Sequence, residues 1–233
     1  MTDISRYPRP AVAVDLVIFT IQDADLRLLL IERDRPPFKG RWTLPGGFVR
    51  VGQGEDQGED LEVAAARELA EETGLPRGSV YLEQLGAFGK AGRDPRLRVI
   101  SVAWFALVKP ELAPFVRAGG DASGAAWFSA AALDPDALAF DHAEILRAAL
   151  ARVRRELHRG PIAFELVPEA FSIAELRAVF EVILGERLDP GNFRRRVLRM
   201  IDDGVLEQAP GKRITASKPA RVYRFVREPA GGA

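Results

Sequence analysis

The chain has 233 residues, of which 47% are hydrophobic and 28% are charged, a balance typical of a globular protein with one large or two small cores. It contains no cysteine, which excludes disulfide bonds, thiolate metal ligands and a cysteine nucleophile. The 33 basic and 33 acidic residues give a net charge of zero. The N-terminus lacks a signal-peptide pattern, and no segment approaches the roughly 18 apolar residues of a membrane helix. We therefore expect a cytoplasmic protein that does not bind membranes.

The first two thirds of the chain predict strands arranged around two helices. Apolar runs at Ala11–Ile21 and Arg27–Ile31 predict paired strands, and Arg41–Val49 predicts a short strand that enters a glycine turn. Residues Glu59–Thr73 are rich in Ala, Leu, Glu and Arg and predict a helix, with Gly74 as its left-handed C-terminal cap. Further predicted elements are strands at Val80–Phe88, Leu97–Val108 and Ala125–Phe128 and a long helix at Asp141–His158. This order indicates an α/β sandwich.

The sequence changes character after residues 159–161, and we place a domain boundary between 158 and 159. Ser172 and Glu175 form the pattern of a capping box for a helix that reaches about Leu184. The remaining predicted elements are a helix at Asp189–Asp203, a short strand at Val205–Glu207, a polar loop at Pro210–Arg213 and a closing strand at Arg221–Val226. Two helices followed by a hairpin are the order of a winged helix-turn-helix domain. We therefore predict domains at 1–158 and 159–233.

Three glutamates on the first predicted helix are candidate metal ligands. Glu68, Glu71 and Glu72 fall within an arc of about 100° on one helix face, where their charges repel. A divalent cation would explain the crowding, and Mg²⁺ or Mn²⁺ accepts oxygen ligands. Such an ion would neutralise a bound diphosphate and could activate a water molecule. Surface helices also carry glutamate runs, so this spacing alone favours a solvated helix face. The neighbouring residues decide between a metal site and a solvated face.

Those neighbouring residues carry a longer pattern. The string R-E-L-A-E-E-T-G-L at Arg67–Leu75, with Glu59 eight residues before the arginine, resembles the Nudix signature G-x5-E-x7-R-E-U-x-E-E-x-G-U, in which U is apolar. The string R-W-x-L-P-G-G-F-V at Arg41–Val49 is similar to the strand and turn that precede this signature. The resemblance implies an α/β/α sandwich with a mixed sheet, metal ligands at Glu68, Glu71 and Glu72, and a catalytic set that also includes Arg67 and Glu59.

The loop before this helix departs from the family pattern. The family places the signature arginine fourteen positions after the glycine, whereas Arg67 follows Gly47 by twenty positions. Gly54-Glu55-Asp56 recurs as Gly58-Glu59-Asp60, which suggests a duplication. Counting back from Arg67 selects Glu59 and counting forward from Gly47 selects Gln53, so the assignment stays open. The general base also stays open, with candidates at Glu83, Asp94, Asp121 or a glutamate of the signature.

The C-terminal part of the chain is basic. Residues 1–150 carry a net charge of −5 and residues 151–233 carry +5, with +7 concentrated in Pro190–Arg227. One face of the helix from Asp189 is apolar, and the opposite face with the following hairpin could contact phosphates and base edges of double-stranded DNA. The candidate nucleic-acid-binding residues are Asn192, Arg195, Arg196, Arg199, Lys212 and Arg213, with Lys218 and Arg221 as further wing residues. A solvated basic face or a protein contact is the alternative.

The two halves together resemble the Nudix-related transcriptional regulators. The similarity extends to G-R-D-P-R at Gly92–Arg96, F-D-H-A-E-I-L at Phe140–Leu146 and L-D-P-G-N-F-R-R-R at Leu188–Arg196. It implies a Nudix domain that senses ADP-ribose or a related nucleoside diphosphate, and a homodimer that binds operator DNA to control genes of NAD or sugar metabolism. The complete set of helix glutamates keeps a Mg²⁺-dependent hydrolase of such compounds as the alternative. We expect His142 to be a hydrogen-bonded helix residue rather than a ligand.

Overall fold

The structure, a computed structural model, describes residues 7–52, 57–76, 78, 80–113, 124–157, 161–214 and 219–226. The N-terminal part forms a seven-stranded mixed sheet and two α-helices. The strands are β1 (Ala11–Gln22), β2 (Asp25–Glu32), β3 (Trp42–Thr43), β4 (Gly46–Phe48), β5 (Tyr81–Phe88), β6 (Val99–Leu107) and β7 (Gly124–Ser129). The helices are α1 (Leu61–Thr73) and α2 (His142–Glu156), with a short 3-10 helix at Pro135–Ala137 before α2.

The sheet is built around β1. The strand order is β3-β2-β1-β6-β5, and β4 also pairs with β1 and β7 with β2. The β1–β6 pair is parallel, whereas β1–β2 and β5–β6 are antiparallel. Parallel pairing needs a long connection, and the segment between β1 and β6 includes α1. The mixed sheet that the sequence predicted is confirmed.

Each helix covers one face of this sheet. Alternate residues of β1 point to opposite faces, so Leu16 and Ile18 pack with Leu69 of α1, whereas Val17 and Phe19 belong to the core that contains α2. Burying these apolar side chains on both sides of a single strand stabilises the layered arrangement. The predicted α/β/α sandwich is therefore confirmed.

The C-terminal part forms the predicted winged helix. Its elements are a 3-10 helix at Pro161–Leu166, α3 (Ile173–Leu184), α4 (Pro190–Asp202), β8 (Leu206–Arg213) and β9 (Ala220–Phe225). The capping box forms as expected: the Ser172 hydroxyl accepts from the Glu175 backbone amide at 3.2 Å, and the Glu175 carboxylate accepts from the Ser172 amide at 2.7 Å. An antiparallel bridge between Phe171 and Tyr223 ties the start of α3 to the hairpin.

Two predicted element boundaries are wrong. Helix α1 begins at Leu61, so Glu59 lies in the loop before the helix. Strand β8 continues through Pro210–Arg213, which the sequence suggested to be a loop. A register shift between Gln208 and Lys212 accommodates the proline, and Gly211 has a positive φ of 95°. The repeated triplet at 54–56, Gln53, Asp121, Lys218 and the predicted boundary at 158/159 lie outside the described residues.

The two parts of the chain share a hydrophobic core. Leu157 at the end of α2, Phe164 of the second 3-10 helix and Phe180 of α3 belong to one cluster with the α2 face of the sheet. The Arg154 side chain of α2 donates to the backbone carbonyl of Ile183 in α3 at 3.0 Å. Over the ranges given above, no helix combines the length and apolar character that crossing a membrane requires.

Candidate functional site

Arg67 holds the acidic residues of the Nudix-like segment together. Its Nη2 and Nε donate to the two carboxylate oxygens of Glu59 at 2.6 and 2.9 Å. Its Nη1 donates to Glu68 at 2.6 Å and to Glu71 at 3.1 Å. The Arg67 side chain is only 7% exposed, so these bonds act where water screens them weakly. Three carboxylates that would otherwise repel one another therefore share one guanidinium.

The position of Glu59 before the helix makes its contact with Arg67 possible. In a helix, residues eight apart are about 12 Å apart along the axis and about 80° apart around it, which disfavours a direct contact between their side chains. Because Glu59 lies in the loop, it reaches Arg67 and also accepts from the Arg50 backbone amide at 2.8 Å. The Arg67 guanidinium holds the pKa of the Glu59 carboxyl down at about 2, well below its usual range. Counting back from the arginine therefore selected the residue that contacts it.

Gly47 allows Glu68 to approach strand β4. A Cβ on Gly47 would stand 2.2 Å from Oε1 of Glu68, which is closer than non-bonded atoms can come. The glycine is thus required by the position of a candidate ligand. Burial of Glu68 raises the pKa of its carboxyl, although Arg67 opposes that shift.

One cavity, of about 470 Å³, is lined by the three candidate metal ligands and by three arginines: Glu68, Glu71, Glu72, Arg33, Arg35 and Arg96. Carboxylate oxygens are ligands that Mg²⁺ prefers, so the donor chemistry of this cavity fits the predicted ion. In their present arrangement, no three acidic or histidine side chains among the described residues are close enough to hold a metal together. Two of the three glutamates contact Arg67, and Glu71 also accepts from Arg50 at 3.0 Å.

A second cavity, of about 230 Å³, adjoins the first and shares Arg33 and Arg96 with it. Its wall is aromatic and cationic: the Arg96 guanidinium lies 5.6 Å from the Phe48 ring and 5.8 Å from the Phe140 ring, and Arg33 lies 4.8 Å from Phe140. Flat aromatic and guanidinium groups can stack on a nucleobase, and guanidinium groups can bind phosphate. The two cavities together form a cleft with an acidic half and an aromatic half.

A buried polar network forms the floor of the aromatic half. Arg93 donates to Asp15 at 3.1 Å and to Asp141 at 2.7 and 2.9 Å. His142 accepts from the Leu44 backbone amide on Nδ1 at 3.0 Å, so its proton lies on Nε2, which faces Asp15 at 3.5 Å. Burial lowers the pKa of His142, which favours the neutral ring. The histidine is hydrogen-bonded within the protein, as the sequence suggested.

The candidates for a general base lie in different places. Asp94 borders the aromatic half, but bidentate hydrogen bonds from Arg96 lower the pKa of its carboxyl and make it a weaker base. Glu83 lies on β5, where it accepts from Arg152 at 2.6 Å and from the Tyr81 hydroxyl, and it lines neither half of the cleft. Glu71 is the most exposed of the carboxylates bound to Arg67. The identity of the base stays a prediction.

The candidate DNA-binding residues are not equivalent. Asn192, Arg195 and Arg199 are exposed on the outer face of α4, and Lys212 is exposed on β8. Arg196 is instead half-buried, with its guanidinium 4.7 Å from the Phe180 ring of α3, because its position lies at the edge of the helix face that packs into the core. Arg213 binds residues at the start of α3: it pairs with Glu175 at 3.0 Å and donates to the Ala170 carbonyl at 2.7 Å.

Several cleft residues were not among the candidates from the sequence. Asp15 carried a signal, because it is the one charged residue in the apolar run of β1. Arg93 and Phe140 lie within two motifs that supported the family resemblance, but neither motif indicated a role for them. Phe48 lies within the string at Arg41–Val49 that also supported the resemblance, again without an indicated role. Arg33 carried no signal, because it meets these rings only when the end of β2, β4 and the segment before α2 come together.

Two protein-family models match the chain. The NUDIX domain model matches residues 9–149, and the model of the NrtR DNA-binding winged helix domain matches residues 163–225. Over 222 residues the chain is 37% identical to the ADPR responsive transcriptional repressor NtrR of Acinetobacter baylyi, a match that spans 95% of this chain and 84% of that protein.

Solved structures are similar across the same two regions. Shewanella oneidensis NrtR in complex with a 27mer DNA superposes with a TM-score of 0.75 at 31% identity, covering 92% of this chain and 93% of the other. The NUDIX domain of the same protein in complex with ADP ribose superposes with a TM-score of 0.51 at 32% identity, covering 65% of this chain and 94% of the other.

Proposed function

This chain belongs to the Nudix family and carries an NrtR winged helix, and from that membership we propose that it is a transcriptional repressor that responds to ADP-ribose. The observation that carries the proposal is similarity over both domains at once to a repressor of this kind. The cleft supplies the chemistry for the ligand, and the basic face of α4 supplies the chemistry for DNA. The protein would act as a cytoplasmic homodimer, with genes of NAD or sugar metabolism as its targets.

The two halves of the cleft suit the two ends of such a ligand. The acidic half would hold the diphosphate through a divalent cation, with Glu68, Glu71 and Glu72 as the metal ligands and Mg²⁺ as the preferred ion. When bound, the cation would neutralise phosphate charge. Arg67 and Glu59 would position these carboxylates, and the rings of Phe48 and Phe140 would contact the adenosine part.

Coupling between ligand and DNA requires only that ADP-ribose bind better to the DNA-free protein. The test measures DNA affinity by fluorescence anisotropy, with and without ADP-ribose and Mg²⁺. The probes are overlapping duplexes that together cover the DNA upstream of the gene for this protein. We expect one duplex to bind tightly and to be released by ADP-ribose but not by AMP. Failure of every duplex to bind more tightly than a scrambled sequence, or of ADP-ribose to change that affinity, would contradict the proposal.

Hydrolysis of ADP-ribose is a second candidate function. The observation that favours it is the complete set of signature residues, with Glu68, Glu71 and Glu72 on one cavity and Arg67 bonded to Glu59. Release of AMP and ribose phosphate from ADP-ribose in Mg²⁺, abolished in Glu71→Gln, would support it. The absence of AMP after prolonged incubation of the wild-type protein would leave sensing as the role of the cleft.

A further inference from the structure

We infer that a groove on the winged helix, bounded by the N-terminal end of α3, by α4 and by β9, binds the phosphate backbone of duplex DNA through Arg177, Arg194 and Arg221. This inference rests on the proposed function, since it names the surface that would position the DNA. Only Arg221 was considered for DNA binding from the sequence, and Arg177 and Arg194 were not.

The groove has the charge that a polyanion requires. It has a volume of about 830 Å³ and contains three arginines and no acidic residue among the described residues that line it. Ile173, Leu198 and Tyr223 contribute apolar surface between the charges, and Leu198 is 41% exposed. Another cavity that includes residues of this hairpin contains Glu165, Glu169 and Glu207. The basic groove is therefore the better match to phosphate on this domain.

Two of these arginines are available for a ligand. Arg194 and Arg221 are both exposed, and the side chain of neither makes an ion pair or hydrogen bond with another described residue. Arg177 approaches Glu181 at 3.6 Å. By contrast, Arg196 stacks on Phe180, and Arg213 is bonded to Glu175 and Ala170. The positive charge that is available to a ligand therefore lies at the groove, on Arg194 and Arg221, rather than on the predicted residues Arg196 and Arg213.

The groove also lies where a bound duplex would need it. Successive residues of a helix are separated by about 100°, so Arg194 flanks the outer face of α4 that carries Arg195 and Arg199. If that outer face enters a DNA groove, the adjacent sugar-phosphate strand would pass along the flank that carries Arg194. Phosphate contacts of this kind fix the position of a protein on DNA without reading the sequence.

Because phosphate contacts do not depend on sequence, a 30-base-pair duplex of scrambled sequence is a sufficient probe. We would measure its affinity by fluorescence anisotropy at several salt concentrations for wild type, Arg194→Ala, Arg221→Ala and the double variant. Arg224→Ala is the matched control, because Arg224 lies on the same strand, pairs with Glu207 at 2.6 Å and lines the other cavity. Thermal unfolding would verify that each variant is folded.

Each single variant should bind the duplex about three- to tenfold more weakly at low salt, and its slope of log affinity against log salt should fall by about 0.9 for each lost phosphate contact. The double variant should show both losses, and Arg224→Ala should remain within about twofold of wild type at low salt, since its charge is already paired. If Arg194→Ala and Arg221→Ala show the same affinity and the same salt slope as Arg224→Ala, the inference that this groove binds DNA is wrong. No binding by wild type at low salt would overturn the proposed function itself.

Discussion

Arg67 contacts Glu59, Glu68 and Glu71 at once, so a single buried guanidinium offsets the repulsion among the acidic residues of the cleft. The arrangement is unequal, because Glu59 receives two bonds from Arg67 whereas Glu68 and Glu71 receive one each. Glu59 and Arg67 therefore form the fixed pair, and the two helix glutamates retain oxygens that can face a ligand. A cation would compete with Arg67 for the helix glutamates but not for Glu59.

The Glu59–Arg67 pair should make the stability of the protein depend on acid pH. The pKa of Glu59 is about 2 in the folded protein and 4.5 without its partners. A lowered folded pKa gives stability that is present above pH 4.5 and is lost as the pH falls toward 2. In EDTA, urea unfolding of Glu59→Gln should therefore show a lower free energy at pH 7, by about 1–3 kcal/mol, and a flatter profile between pH 5 and 2. Glu62→Gln, at an exposed position of α1, is the control, and matching profiles for the two variants would refute the role of the pair.

Gly47→Ala should disturb ligand binding without unfolding the protein. The new methyl group would overlap Oε1 of Glu68 and force that side chain away from its present position. Isothermal titration with ADP-ribose in Mg²⁺ should show affinity reduced by about tenfold or more, as for other changes beside metal ligands. Gly89→Ala is the control, since a Cβ there has no neighbour closer than 3.8 Å. Equal affinity of both variants would mean that the position of Glu68 is unimportant for binding.

The grouping of the three glutamates in the acidic half was predictable, whereas the contacts between rings and guanidinium groups in the aromatic half were not. Glu68, Glu71 and Glu72 lie within five residues of one another, so helical periodicity alone places them together. Arg33, Phe48 and Phe140 lie on three separate segments, and their contact depends on how strands of one sheet end beside a loop. Local patterns contain no information about such contacts, because tertiary packing creates them.

At the level of whole elements, helices with terminal signals were predicted more accurately than the hairpin. Ser172 with Glu175 and Gly74 marked helix ends that the structure confirms, because capping depends on neighbouring residues alone. Strand β8 extends past its predicted end because Lys212 and Arg213 pair with β9 beyond the irregular stretch that contains Pro210 and Gly211. The start of α1 was also misjudged, since Glu59 forms its bonds with a side chain two turns away rather than within the helix.

Loss of the capping box should destabilise the winged helix. Ser172→Ala removes the acceptor of the Glu175 amide at the start of α3 and should cost about 1 kcal/mol of unfolding free energy, measured by urea denaturation. Ser101→Ala is a matched control in β6, where the buried hydroxyl has no hydrogen-bond partner among the residues that the structure describes. That change should be neutral or stabilising. If Ser101→Ala lowers the free energy of unfolding as much as Ser172→Ala does, burial of the hydroxyl and not capping determines the loss of stability.

At the level of the molecule, α2 connects the cleft to the winged helix. Its first residue, His142, lines the aromatic half of the cleft, and Arg154 near its other end donates to the Ile183 carbonyl of α3. The 15 residues of α2 span about 22 Å as one rigid element. The shared core around Leu157 and Phe180 makes the two domains parts of one packed unit. A shift of α2 on ligand binding would therefore change the position of α3 directly.

Arg154→Ala should weaken the response of DNA binding to ADP-ribose more than it weakens either binding step. The bond to Ile183 joins a side chain of the sensor domain to the end of α3, so its loss lets α2 move without α3. Coupling between two sites is commonly worth about 5- to 150-fold in affinity. We expect the ratio of DNA dissociation constants with and without ADP-ribose to fall at least threefold toward one. Arg155→Ala is the control, because Arg155 is exposed and, within the described ranges, pairs only with Glu156 on its own helix. An unchanged ratio in Arg154→Ala, with ADP-ribose still bound, would mean that the signal passes through the shared core instead.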